Sequence, residues 1–188
     1  MKARHLFTLT LLLLPTLALA HPGHDNGSGF VFGILHPWSG LDHLIAMLAV
    51  GMWGAQLGGR MRWALPLSFV TMMLGGAALG LGGAHLGAVE QSIAASVCVL
   101  GLLLGTAVRL PLIACMALTS CFAIFHGYAH AGEATAGGAV LYTAGFATST
   151  ALLHALGFGI AMALREHQRV LRWTGAAIAL SGVAMLIA

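Results

Sequence analysis

Three features of the sequence predict an all-α fold, a polytopic membrane bundle of six transmembrane helices behind a cleaved signal peptide. The first is composition: 59% of the residues are hydrophobic and 7% charged, with a mean hydropathy of +0.94, whereas soluble domains carry about 25% charged residues. The second is a series of apolar runs at 30–57, 63–82, 89–108, 110–129, 138–163 and 170–188, each near the ~20 residues that a helix needs to cross a bilayer. The third is the placement of arginine. Arg60 and Arg62 follow the first run, Arg109 the third, and Arg165, Arg169 and Arg172 the fifth, while the connections around His85 and Glu133 hold no basic residue. Lys and Arg collect on the cytoplasmic side of membrane proteins, so this alternation fits six crossings.

Taken in order, residues 1–20 read as a secretory signal. Lys2 and Arg4 precede an apolar stretch that breaks at Pro15, and Ala18-Leu19-Ala20 supplies small residues for cleavage. Residues 21–29 form a short periplasmic leader in which His21, His24 and Asp25 could collect a metal ion. The six-helix transmembrane domain then runs over 30–188. Pro66 and Pro111 lie near the starts of their segments, and Pro37 reads as a first-turn residue preceded by His36. Pairs of small residues such as Gly101 and Gly105, and the cluster Gly75, Gly76, Gly80, Gly82 and Gly83, suit close helix contact. With a periplasmic mature N-terminus, six crossings leave the C-terminus periplasmic as well.

The net charge of +3 comes from scattered basic residues with no aromatic and basic surface, so nucleic acid is not an expected partner. Cys98, Cys115 and Cys121 are odd in number and lie in apolar runs. They read as packing residues, with Cys121 a possible soft ligand because it lies five residues before His126.

Ionisable groups inside apolar runs are what need explaining, since each costs at least about 2.5 kcal/mol at bilayer depth and such groups usually mark an ion or substrate path. His36, Asp42 and His43 head the first run, and His126, His130 and Glu133 end the fourth. Positions i, i+4 and i+7 of a helix share a face, so the second set forms one stripe if the helix reaches Glu133. His43 lies seven residues inward of His36, and His126 seven inward of Glu133, each about 10 Å along a helix. The two sets can therefore meet, with Glu133 and His36 at the mouth and His126 opposite Asp42 and His43. On a straight helix one ion could not easily hold both His36 and His43. Either they serve successive positions, or Pro37 and Gly40 permit an irregular turn that brings them together. His154 shares a face with Thr143 and Thr150 but lies about 24 Å down its helix, which makes it either an inner station or a histidine bonded to a neighbouring helix. Glu90 opens the third run and reads as a solvated helix-start acid.

The stretch His36-Pro37-Trp38-Ser39-Gly40-Leu41-Asp42-His43-Leu44-Ile45-Ala46-Met47 resembles the first-helix signature of the HupE/UreJ proteins, small bacterial nickel or cobalt permeases associated with hydrogenase and urease. The likeness extends to Phe125-His126-Gly127-Tyr128-Ala129-His130-Ala131-Gly132-Glu133 and to Leu153-His154-Ala155-Leu156-Gly157. The resemblance implies that His36, Asp42, His43, His126 and His130 handle the metal, with Glu133 and His154 as further candidates beside His21 and His24 of the leader. The first stretch is also similar to the His-x4-Asp-His element of the larger nickel/cobalt transporters, although here five residues separate His36 from Asp42.

The expected function is a permease that moves Ni²⁺ or Co²⁺ from periplasm to cytoplasm across the bacterial inner membrane. Imidazole and carboxylate suit such ions. The ion is cargo, so no permanently bound cofactor and no catalytic residue is expected; membrane lipid and, by the resemblance, nickel metalloenzyme maturation proteins are the expected partners. No Walker A pattern is present and Lys2 is the only lysine, which excludes ATP hydrolysis by that machinery. Two other readings stay open. Zinc held by His126, His130 and Asp42 could activate water, with Glu133 as base and Ser39 lacking an activating partner; alternatively His43, His126 or His154 could anchor a b-type haem.

Overall fold

A computed structural model describes residues 29–133 and 138–188, and every regular element in them is a helix. They are α1 (Phe30–Ser39), α2 (Leu41–Leu57), α3 (Met61–Leu81), α4 (Val89–Thr106), α5 (Leu112–Ala131), α6 (Ala139–Ala163) and α7 (Gln168–Ile187). The expected signal peptide and the leader histidines His21 and His24 lie outside the described residues.

Five helices, α3 to α7, are long and apolar enough to cross a membrane. Their outer faces are apolar too: Ile113, Val140, Leu180 and Ile187 are all exposed, as lipid-facing side chains would be. The expected first helix over 30–57 is corrected, because the chain breaks at Gly40, whose φ of −100° and ψ of 116° are extended. Pro37 is not a first-turn residue. It lies inside α1 near its C-terminus, where the missing N–H removes a helical bond just before the break. The polar groups freed there are taken up locally. Ser39 Oγ donates to the His36 carbonyl at 2.7 Å, and Asp42 Oδ1 accepts the His43 N–H at 2.7 Å in the first turn of α2.

The short α2 is the axis of the bundle. An unbroken stretch from Ala49 to Gly54 is buried, because α2 packs against α6 on one side and α3 and α4 on others. A helix apolar all round suits this position. Four helix pairs are drawn tight by glycine, the first being α1 and α6, where a Cβ on Gly33 would run into the Tyr142 carbonyl and one on Gly145 into the Phe30 carbonyl. A Cβ on Gly51 would run into the His154 carbonyl, and one on Gly157 into the Leu48 carbonyl, which closes α2 on α6. Gly76 meets the Ile124 carbonyl and Gly127 the Met73 carbonyl between α3 and α5, while Gly101 and Gly175 join α4 to α7. Of the suspected cluster in α3, Gly76 and Gly80 make the contacts, whereas Gly75 faces open space and Gly83 turns the chain with a φ of +78°.

The arginine-bearing connections gather at one end. Gln56 Nε2 reaches the Leu104 carbonyl at 3.0 Å, Arg172 Nε reaches the Gly105 carbonyl at 2.9 Å, and Trp63 stacks on Phe158. The opposite end holds the break after α1, the end of α5 and the start of α6.

Candidate metal centre

The break at Gly40 decides the geometry of the site. Because α1 does not continue the line of α2 but packs across α6, His36 and His43 both reach His130, with ring centroids 4.5 and 4.3 Å from it. Helix α5 ends at Ala131, so Glu133 arrives from the turn that follows and not from a continued helical stripe.

At the mouth, Glu133 Oε2 accepts from His36 Nε2 at 3.0 Å, from His130 Nδ1 at 3.1 Å and from the Tyr142 hydroxyl at 3.0 Å. Among the described residues, His36, His130 and Glu133 are the group whose possible ligand atoms lie within 4.8 Å of one another. Burial acts to raise the Glu133 pKa, but the hydrogen bonds from His130 and His36 outweigh it and hold the carboxyl well below the usual carboxylate range.

One layer down, Asp42 Oδ1 also accepts from His43 Nδ1 at 2.7 Å. An ionised carboxylate can only accept, so Nδ1 carries the proton and His43 Nε2 keeps its lone pair. The same reasoning applies to His130, whose Nδ1 donates to Glu133. The nitrogens left over, His43 Nε2 and His130 Nε2, are buried and have no protein partner among the described residues. His126, fully buried on α5, has its ring 4.7 Å from that of His43 and its Nδ1 equally bare. Phe146 lies against His130 at 4.2 Å and walls the group.

The remaining candidates separate as follows. His154 does not join the outer group; Phe69 stands between, 5.5 Å from the His126 ring and 5.2 Å from the His154 ring. Both ring nitrogens of His154 are buried without a partner among the described residues, so of its two readings the bond to a neighbouring helix is not present there. Thr150, one turn above it, points its hydroxyl at the sulfurs of Met47 and Met73, at 3.4 and 3.6 Å. Cys121 is exposed and away from the group, and Glu90 is exposed at the start of α4 as expected. The Ser39 hydroxyl is committed to a backbone carbonyl and no imidazole among the described residues activates it.

This constellation sits on a chain that matches the HupE / UreJ protein family over residues 9–185. The chain belongs to the HupE/UreJ family. It is 43% identical over 184 residues to Protein HupE of Rhizobium leguminosarum bv. viciae, covering 96% of this chain and 95% of that protein. No solved structure matches it.

Three residues beside the candidate centre escaped the sequence. Tyr142 and Phe146 lie in the apolar run 138–163 and carry no sequence signal that sets them apart. Ser96, which lies 3.0 Å from His126 Nε2, sits one turn past Ser92 inside the apolar run of α4; a hydroxyl at that depth was the available signal.

Proposed function

We propose that this HupE/UreJ protein is a permease for a divalent transition-metal ion, Ni²⁺ or Co²⁺, which moves from periplasm to cytoplasm to supply metalloenzyme maturation. The observation that carries the reading is a column of imidazoles through the bundle, with nitrogens on His43, His126, His130 and His154 that no described protein group occupies. Buried polar groups are almost always paired, and neutral imidazole nitrogens are ligands for such ions.

In this reading the ion is captured at the mouth by Glu133 and His36, where the carboxylate supplies negative charge. His130 then acts as the hinge of the relay, since its Nδ1 faces Glu133 while its bare Nε2 is left for the next position beside His43. His43 and His126 take the ion next, and His154 receives it beyond Phe69. Several weak positions in series let an ion leave as readily as it enters. Asp42 and Glu133 hold His43 and His130 in the tautomers that leave ligand nitrogens free, as outer partners of metal-bound histidines do. The arginines at the opposite end support a cytoplasmic exit in the inner membrane, with both termini periplasmic. The leader histidines His21 and His24 would serve as a first capture point.

The test is uptake of radiolabelled nickel and cobalt by a host without its own transporters. Cells with the wild-type chain should accumulate metal, and His130→Ala should abolish accumulation at unchanged abundance in the membrane. Wild-type cells that take up no more of either metal than empty cells would overturn the reading.

A further inference from the structure

We propose that Ser96 is a positioning residue that holds His126 in its Nε2–H tautomer, so that Nδ1 is the atom His126 presents to the ion. The inference deepens the permease reading and rests on it for its functional consequence, but the tautomer itself stands on geometry alone.

Ser96 Oγ has two close partners, the Ile93 carbonyl oxygen at 2.6 Å and His126 Nε2 at 3.0 Å. A hydroxyl has one proton to donate. If that proton pointed to His126, two oxygens would face each other 2.6 Å apart with no hydrogen between them. The proton therefore goes to Ile93, and Ser96 Oγ accepts from His126. Nε2 must then carry the hydrogen, and in a neutral imidazole Nδ1 is left with its lone pair.

The surroundings of the ring agree. His126 Nδ1 has no partner among the described residues. In the other tautomer it would be a buried N–H without an acceptor, while Ser96 Oγ and Nε2 would face each other as two acceptors. Both Ser96 and His126 are fully buried, so solvent does not relieve either defect. The deeper group then follows one rule: each imidazole gives one N–H to a fixed acceptor, Asp42 for His43, Glu133 for His130 and Ser96 for His126. Ser96 differs in being neutral. It orients the ring from α4 without adding charge, and so leaves the net charge of a bound ion and its ligands unchanged.

Two measurements decide the matter. In the full chain reconstituted in lipid vesicles without metal, with histidines labelled with ¹⁵N, the His126 signals, assigned by their loss in His126→Gln, should show hydrogen on Nε2 and none on Nδ1. Hydrogen on Nδ1 would overturn the proposal. In uptake assays, Ser96→Ala should raise the half-saturating nickel concentration about ten- to a hundred-fold, the range for losing an outer partner of a metal-binding histidine. Ser96→Thr, which keeps an acceptor oxygen, should recover most of the affinity. Equal affinity in wild type and Ser96→Ala would overturn the role in transport. If Ser96→Ala does not accumulate in the membrane, Ser96→Cys decides, its weak sulfur acceptor again predicting lower affinity that Ser96→Thr does not show. Wild type that carries no metal would remove the permease reading while leaving the labelled-nitrogen result to judge the tautomer.

Discussion

Replacing Asp42 by asparagine removes the charge of one carboxylate and changes almost nothing of its shape, which makes it the sharpest probe of the deeper layer. Asp42 Oδ1 accepts two hydrogen bonds of 2.7 Å, from the backbone N–H and from Nδ1 of His43. Bonds to a charged acceptor contribute about 1.5–3 kcal/mol against about 0.5–1.5 for a neutral one. The amide oxygen of the variant could still accept both, so the loss is about 1 kcal/mol for each bond and about 2 kcal/mol for the pair. If the lost energy appears as a loosened His43, the half-saturating nickel concentration should rise about thirty-fold, at 1.4 kcal/mol for each factor of ten. The assay is a concentration series of nickel uptake, with the amount of protein in the membrane measured alongside. Asp42→Ala should be worse in both respects, because it also strands the His43 N–H at the start of α2. Asp42→Asn with affinity within about twofold of wild type would refute the reasoning, and a protein lost from the membrane would make the carboxylate a structural group instead.

Adjacent glycines in α3 should respond oppositely: a Cβ on Gly76 runs into the Ile124 carbonyl while one on Gly75 meets nothing. Gly76→Ala should therefore lower thermal stability in detergent by the equivalent of about 1–3 kcal/mol, and Gly75→Ala should leave it unchanged or raise it by about 1 kcal/mol; a scan of both variants checks this. His154→Ala should reduce maximal flux while leaving the half-saturating concentration nearly constant, since His154 lies beyond Phe69 and takes no part in capture; a shift in half-saturation alone would contradict that placement. Glu133 is more acidic folded than the ~4.3 of an unperturbed glutamate, so its contribution to stability is present above that value and is lost as pH falls through the folded value. The melting difference between wild type and Glu133→Gln should accordingly be largest near neutrality and shrink on acidification below about pH 4; a difference that grew with acid would reverse the assignment.

Much of the architecture is legible in the chain alone. Expected segments at 63–82 and 138–163 fall within two residues of α3 and α6, because long apolar runs bounded by arginine, glycine or proline leave a chain in lipid no choice but helix. The first run is where this failed. Residues 30–57 are apolar throughout most of their length, so hydropathy alone gives one helix and Pro37 reads as its first turn, whereas the alternative of an irregular turn at Pro37 and Gly40, raised by the spacing of His36 and His43, is what the break at Gly40 bears out. The glycine cluster of α3 shows the same limit: Gly75 and Gly76 are identical letters, and only the position of α5 makes one a contact and the other not.

What the sequence determined by itself is the class of molecule and the inventory of the site. Lipid-compatible composition sets an all-helical bundle, and imidazoles and carboxylates in apolar runs must face inward, because hydrocarbon cannot solvate them. Which nitrogen of each histidine is bare was left to the tertiary structure. That depends on acceptors delivered from other turns and helices: Glu133 from beyond the end of α5, and Ser96 from α4, thirty residues from His126. A hydrogen bond forms only where two chain segments meet within about 3 Å, and such meetings follow from how helices cross, not from the residues that any one helix carries.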